Sequence, residues 1–72
     1  MRMNMKNFKT ILKGYRLDQK LKQSDVAKVV GVTQQCISEW ENGKTEPTLS
    51  YLWKIADYFD ISVDELIGRK KY

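Results

Sequence analysis

The sequence predicts an all-α fold, five short helices packed as one domain of 72 residues. Three observations carry that expectation. Apolar residues recur at three- and four-residue steps along most of the chain, helix-capping residues stand at the ends of those stripes, and the connections left between them are two to six residues long.

Phe8, Leu12 and Tyr15 mark an amphipathic first helix over about Asn7 to Lys20, with Lys and Thr between them. Gly14 lies inside it and should cost about 1 kcal/mol relative to Ala. Val26, Ala27 and Val30 form the inner face of a second helix, Gln23 to Val30, which Gly31 ends because only glycine takes the left-handed conformation cheaply. Thr33 offers an N-cap oxygen to a third helix, Gln34 to about Glu41, with Ile37 and Trp40 inward. Asn42-Gly43 closes it and opens a turn-rich stretch to Pro47. Thr48 is expected to cap a fourth helix, Leu49 to about Tyr58, whose stripe is Leu49, Leu52, Ile55, Ala56 and Phe59. Ser62-Val63-Asp64-Glu65 reads as a capping box that starts a fifth helix, and Gly68 ends it. The domain should therefore span residues 7–68, between a frayed N-terminus, 1–6, and a basic tail, 69–72.

Composition narrows the function. A chain this short buries only roughly 60% of the surface that it exposes unfolded, so a second subunit would be a natural source of extra stability. One cysteine and no histidine leave no disulfide framework, remove the commonest metal ligand and the commonest general base, and fit a reducing cytoplasm. No apolar run approaches the length needed to cross a bilayer. No phosphate-cradling glycine loop is present either, and the carboxylates fall at caps and surfaces, so an enzyme is not expected, nor a cofactor, a metal or a small-molecule ligand. Charge is unevenly spread: residues 1–36 hold eight Lys/Arg against Asp18 and Asp25, while the rest of the chain is net acidic. One face suited to a polyanion follows from that asymmetry.

The segment Gln23 to Asn42 has a steric logic of its own. Two helices meeting at a steep angle across a tight turn need a small residue at the crossing, a turn glycine and apolar anchors on both inner faces. Ala27, Gly31, and the set Val26, Val30, Val32, Ile37 and Trp40 meet those needs in register.

These residues resemble the helix-turn-helix domain of lambdoid phage repressors and Cro, and of the large bacterial regulator family (XRE) that shares it. The match runs through Leu21-Lys22-Gln23, Ala27, Gly31-Val32-Thr33, Ile37 to Lys44, Pro47-Thr48-Leu49, Leu52, Ile55-Ala56 and Ile61 to Leu66. The resemblance implies a compact lambda-repressor-like domain with the helix-turn-helix in helices 2 and 3, acting as a transcriptional regulator, a repressor above all, on a double-stranded DNA operator. The N-terminal outward residues of the third helix would then face base edges: Thr33, Gln34, Gln35, Ser38 and Glu39. Glutamine suits adenine, threonine a thymine methyl, and glutamate cytosine N4, although a carboxylate near phosphates also repels. Gln34-Gln35 is similar to a pair of base-reading glutamines in some phage repressors.

Lys22 and Gln23 at the start of the second helix, and Asn42, Lys44 and Thr45 after the third, match the segments that clamp the DNA backbone in that family. Two departures stand out. Lys22 occupies a position that usually holds a hydroxyl or amide N-cap, and Glu46 puts an acid where relatives often carry a base. Arg16 and Glu41 match a family ion pair that ties the first helix to the end of the third. Cys36 reads as a half-buried small residue.

Such domains read palindromic operators as dimers, with half-sites one helical turn apart. Trp53, Tyr58, Ile61, Val63 and Ile67 form more apolar surface than the core obviously absorbs, and the resemblance also points to the fifth helix as a homodimer contact. The alternative from another class is an antitoxin or protein-interaction module that neutralises a partner protein and binds DNA secondarily. RNA fits less well, since no exposed aromatic platform accompanies the basic residues.

Overall fold

The computed structural model describes residues 7–69, so the expectations for residues 1–6 and 70–72 lie outside the described residues. Five helices follow one another: α1 (Phe8–Asp18), α2 (Gln23–Val30), α3 (Gln34–Glu41), α4 (Leu49–Phe59) and α5 (Val63–Leu66). There is no strand among the described residues. No helix among them is long and apolar enough to cross a membrane.

The helices pack around one core because each has a single apolar stripe to cover. Leu12 of α1, Val26 and Val30 of α2, Ile37 of α3, Leu52 and Ile55 of α4, and Leu66 of α5 are sealed from solvent. Such close packing makes truncation expensive, about 2–5 kcal/mol for Leu or Ile to Ala. α2 lies against α3 and α4, α1 against α3 and α5, and α4 against α5. Aromatic rings fill the corners: Trp40 meets Tyr51 at 5.7 Å between centroids, and Phe59 meets Tyr15 at 5.5 Å.

Helix ends share one device. After each helix a residue turns left-handed and the next N–H reaches back five residues, as in Leu21 N–H to Arg16 C=O (2.9 Å), Lys44 to Glu39 (2.9 Å) and Ile61 to Ala56 (3.0 Å). Gly31 and Gly43 do this at φ 86° and 73°, where a side chain would be strained. Lys20 and Asp60, both at φ 57°, do the same without being glycine. That is why α1 stops at Asp18 rather than at the expected Lys20.

Four sequence expectations are corrected. Leu49 is 53% exposed, because α4 begins beyond the edge of the core, and its neighbours Thr48 and Ser50 also face solvent. Thr48 makes no side-chain cap bond, although its backbone has the extended shape of an N-cap. At α5, Ser62 Oγ accepts from Glu65 N–H at 3.1 Å, one half of the expected box. Ile67 is buried at 3% exposure, because the chain turns at Gly68 (φ 81°) against Asn7 and Ile11 and tucks Ile67 into the floor of the core. It adds nothing to an exposed apolar surface.

Candidate nucleic-acid interface

α2 and α3 pack against each other and are joined by Gly31-Val32-Thr33. Ala27 is buried and its carbonyl accepts from both Gly31 N–H (2.8 Å) and Val32 N–H (3.0 Å), so the turn closes directly on α2. Thr33 then starts α3 by accepting from Cys36 N–H at 3.1 Å, which leaves its hydroxyl proton free to donate outward. Behind α3 the buried Ile37 and Trp40 fix its rotation. In front, Gln34 and Gln35 are exposed, while Ser38 and Glu39 one turn later are half-buried. Of the side chains named from the sequence as base readers, Thr33, Gln34 and Gln35 are thus open to solvent, and Ser38 and Glu39 are partly covered.

The two ends of this face are held differently from what spacing alone conveys. Asn42 donates its amide to Ser38 C=O at 2.9 Å and to Ser38 Oγ at 3.3 Å, so a candidate reader and a candidate backbone contact are one hydrogen-bonded unit. At the start of α2, Lys22 has no capping oxygen, and the carboxylate of Asp25 instead accepts from the Lys22 N–H at 2.8 Å. The exposed Lys22 side chain is therefore not used in holding the helix.

Arg16 and Glu41 meet in a two-pronged pair, Nε to Oε2 at 2.7 Å and Nη2 to Oε1 at 2.9 Å, both side chains being almost buried. Nη1 of Arg16 donates to Leu21 C=O at 2.9 Å, and Gln23 Nε2 donates to Glu41 Oε1 at 3.2 Å. The hydrogen bonds that Arg16 donates to Glu41 outweigh burial and raise the Arg16 pKa, so this cation stays charged at every working pH. Gln23, expected to face phosphate, spends one amide hydrogen inside this cluster and joins the start of α2 to the end of α3.

Lys44 and Thr45 are exposed beside Glu46, and Pro47 anchors their loop by being buried. Sequence reasoning missed Pro47 as an anchor, the capping role of Asp25 and the Asn42–Ser38 lock. Only Asp25 had a legible signal, an acid three residues after an N-cap position. Cys36 is half-buried, and burial, helped by Glu39, pushes its thiol pKa up. No group of three or more His, Cys, Asp or Glu stands close enough among the described residues to hold a metal ion. Of the apolar residues set aside for a dimer contact, Trp53 (61% exposed) and Tyr58 (38%) are open, while Ile61 and Val63 are half-buried.

Comparison with known proteins agrees with this geometry. A helix-turn-helix family model matches residues 12–66. An uncharacterized HTH-type transcriptional regulator of Methanocaldococcus jannaschii is 40% identical over 58 residues, covering 81% of this chain and 88% of its own. The cryptic phage CTXphi transcriptional repressor RstR of Vibrio cholerae is 40% identical over 47 residues, 65% of this chain, which spans only 42% of RstR. Among solved structures, the P22 c2 repressor in complex with a synthetic operator superposes with a TM-score of 0.82 at 28% identity, covering 88% of this chain and 96% of that one.

Proposed function

The chain belongs to the XRE-type helix-turn-helix family of transcriptional regulators, and from that premise we propose that it binds double-stranded DNA sequence-specifically and represses transcription as a dimer on a palindromic operator. One observation carries the reading: α3 presents Thr33, Gln34 and Gln35 to solvent while Ile37 and Trp40 pin it from behind. Long polar side chains held on a rigid helix are what readout of base edges in the major groove needs. In this reading Ser38 and Glu39 complete the base-facing set, and Lys22, Gln23, Asn42, Lys44 and Thr45 grip phosphates on either side. The operator-bound P22 repressor structure supports the DNA partner by analogy of fold.

A two-fold dimer would place two α3 helices about 34 Å apart, one turn of duplex. The exposed Trp53 and Tyr58, together with the half-buried Ile61 and Val63, are the surface proposed for that contact. Selection of bound duplexes from a random pool tests the whole reading. A palindromic consensus with half-sites one helical turn apart is expected. Failure to retain any duplex at low ionic strength would sink it, and a consensus without two-fold symmetry would remove the dimer alone.

A further inference from the structure

α1 carries two exposed lysines one turn apart, Lys9 and Lys13, on the side that faces the end of α3. Between them and the α3 terminus lies an open groove of about 440 Å³, lined by both lysines, Gly14, Glu41 and Asn42. Lys9 is not simply splayed into solvent. A Cβ at Gly43 would stand 3.1 Å from Lys9 Cδ and 3.5 Å from its Nζ, so the Lys9 stem lies along the turn that follows Asn42 and its ammonium stays at the groove.

Gly14 is the unusual member. Glycine disfavours a helix interior, yet nothing in the fold approaches within 4 Å of where its Cβ would be. Packing therefore gives no reason for the missing side chain, whereas a ligand approaching the α1 backbone would. The acid in the groove does not spoil it for an anion, because both Glu41 oxygens accept hydrogen bonds from Arg16, and one also from Gln23.

We infer that this groove seats a backbone phosphodiester of the duplex, with Lys9 and Lys13 on its flanks, the Asn42-Gly43 turn at its end and bare Gly14 as its floor. The inference rests on the DNA-binding reading and extends the phosphate grip from the α2 start and the α3–α4 loop onto α1. A phosphodiester fits better than a carboxylate ligand because it needs only a diffuse positive field and room for close approach, with no second fixed donor set.

The test uses the full chain and a mixed-sequence duplex of about 20 base pairs, with binding followed against KCl concentration. Lys9→Ala and Lys13→Ala should each flatten the log–log salt slope by about one unit and weaken binding about tenfold at 0.1 M salt. Lys13→Arg should keep the wild-type slope. Gly14→Ala should raise Tm by about 4–8 °C and yet weaken binding, a split that a merely structural position would not give. Wild-type slopes in both lysine variants, with the wild type still binding duplex, would overturn the seat and leave the DNA reading intact. Absence of binding by the wild type itself would instead overturn that reading. Competition by inorganic phosphate beyond matched ionic strength would assign the groove to a free anion and likewise overturn the proposal.

Discussion

Arg16 on α1 and Glu41 at the last residue of α3 join two elements 25 residues apart through two parallel hydrogen bonds, 2.7 and 2.9 Å long, in a nearly dry site. The pair sets where α3 ends relative to α1. Removing one partner leaves the other buried and uncompensated, which is costlier than the net worth of the pair.

Arg16→Ala or Glu41→Ala should therefore destabilise the fold by about 3–5 kcal/mol, while Arg16→Met combined with Glu41→Leu should recover most of that loss. Urea denaturation of the wild type and these three variants measures how much of the loss is recovered. A double variant as unstable as the two single losses added together would contradict the argument.

Lys20 sits at φ 57° and is exposed, so its left-handed backbone is strained without any burial in return. Lys20→Gly should stabilise the protein by about 0.5–1 kcal/mol, the relief of strain exceeding the added freedom of the unfolded chain. Thermal melts report it, and a lowered Tm would show that the Lys20 side chain contributes more than its backbone costs.

Gln34→Ala and Gln35→Ala should each cost about 1–3 kcal/mol on the selected operator and relax preference at one base pair, whereas Lys44→Ala should weaken all sequences alike and reduce the salt slope by about one. Titrations against the operator and its single-base variants separate the two outcomes. Uniform loss in the glutamine variants would remove them from the readers.

The raised Cys36 pKa gives a pH effect with a definite sign. The thiol of the unfolded chain ionises first, so above the ordinary thiol range the unfolded state holds fewer protons and stability falls as pH rises towards the folded value. Below that range the contribution is fully retained. Wild type should lose stability between neutral and strongly alkaline pH faster than Cys36→Ala does, measured by urea midpoints at each pH, and alkylation of the folded thiol should lag that of the urea-unfolded chain.

α2 and α3 were legible to the residue because glycine and threonine mark their ends, Gly31 by its φ of 86° and Thr33 by its cap bond to Cys36. α1 overran by two residues because Lys20 performs a glycine's turn with no sign of it in the sequence. Leu49 and Ile67 failed for a related reason. Periodicity tells which face of a helix points inward but not where the core stops, so Leu49 lay past its edge and Ile67 within it. Arg16 and Glu41 lie far apart in sequence, and only family resemblance paired them. The contact of Lys9 with the Gly43 turn, and the Asn42–Ser38 lock, depend on how α1 and α3 terminate in space, which no local pattern encodes.

α3 is eight residues long, little more than two turns, or about 12 Å. Stacked base pairs are spaced about 3.4 Å, so one copy of this helix can inspect three or four of them before the groove curves away. A word that short is repeated throughout any genome, and the surplus of decoy addresses swamps it. Selectivity in a domain of this build is thus arithmetic rather than vocabulary: it must multiply short readings together, from a twin copy, from neighbouring sites or from the way the duplex itself bends.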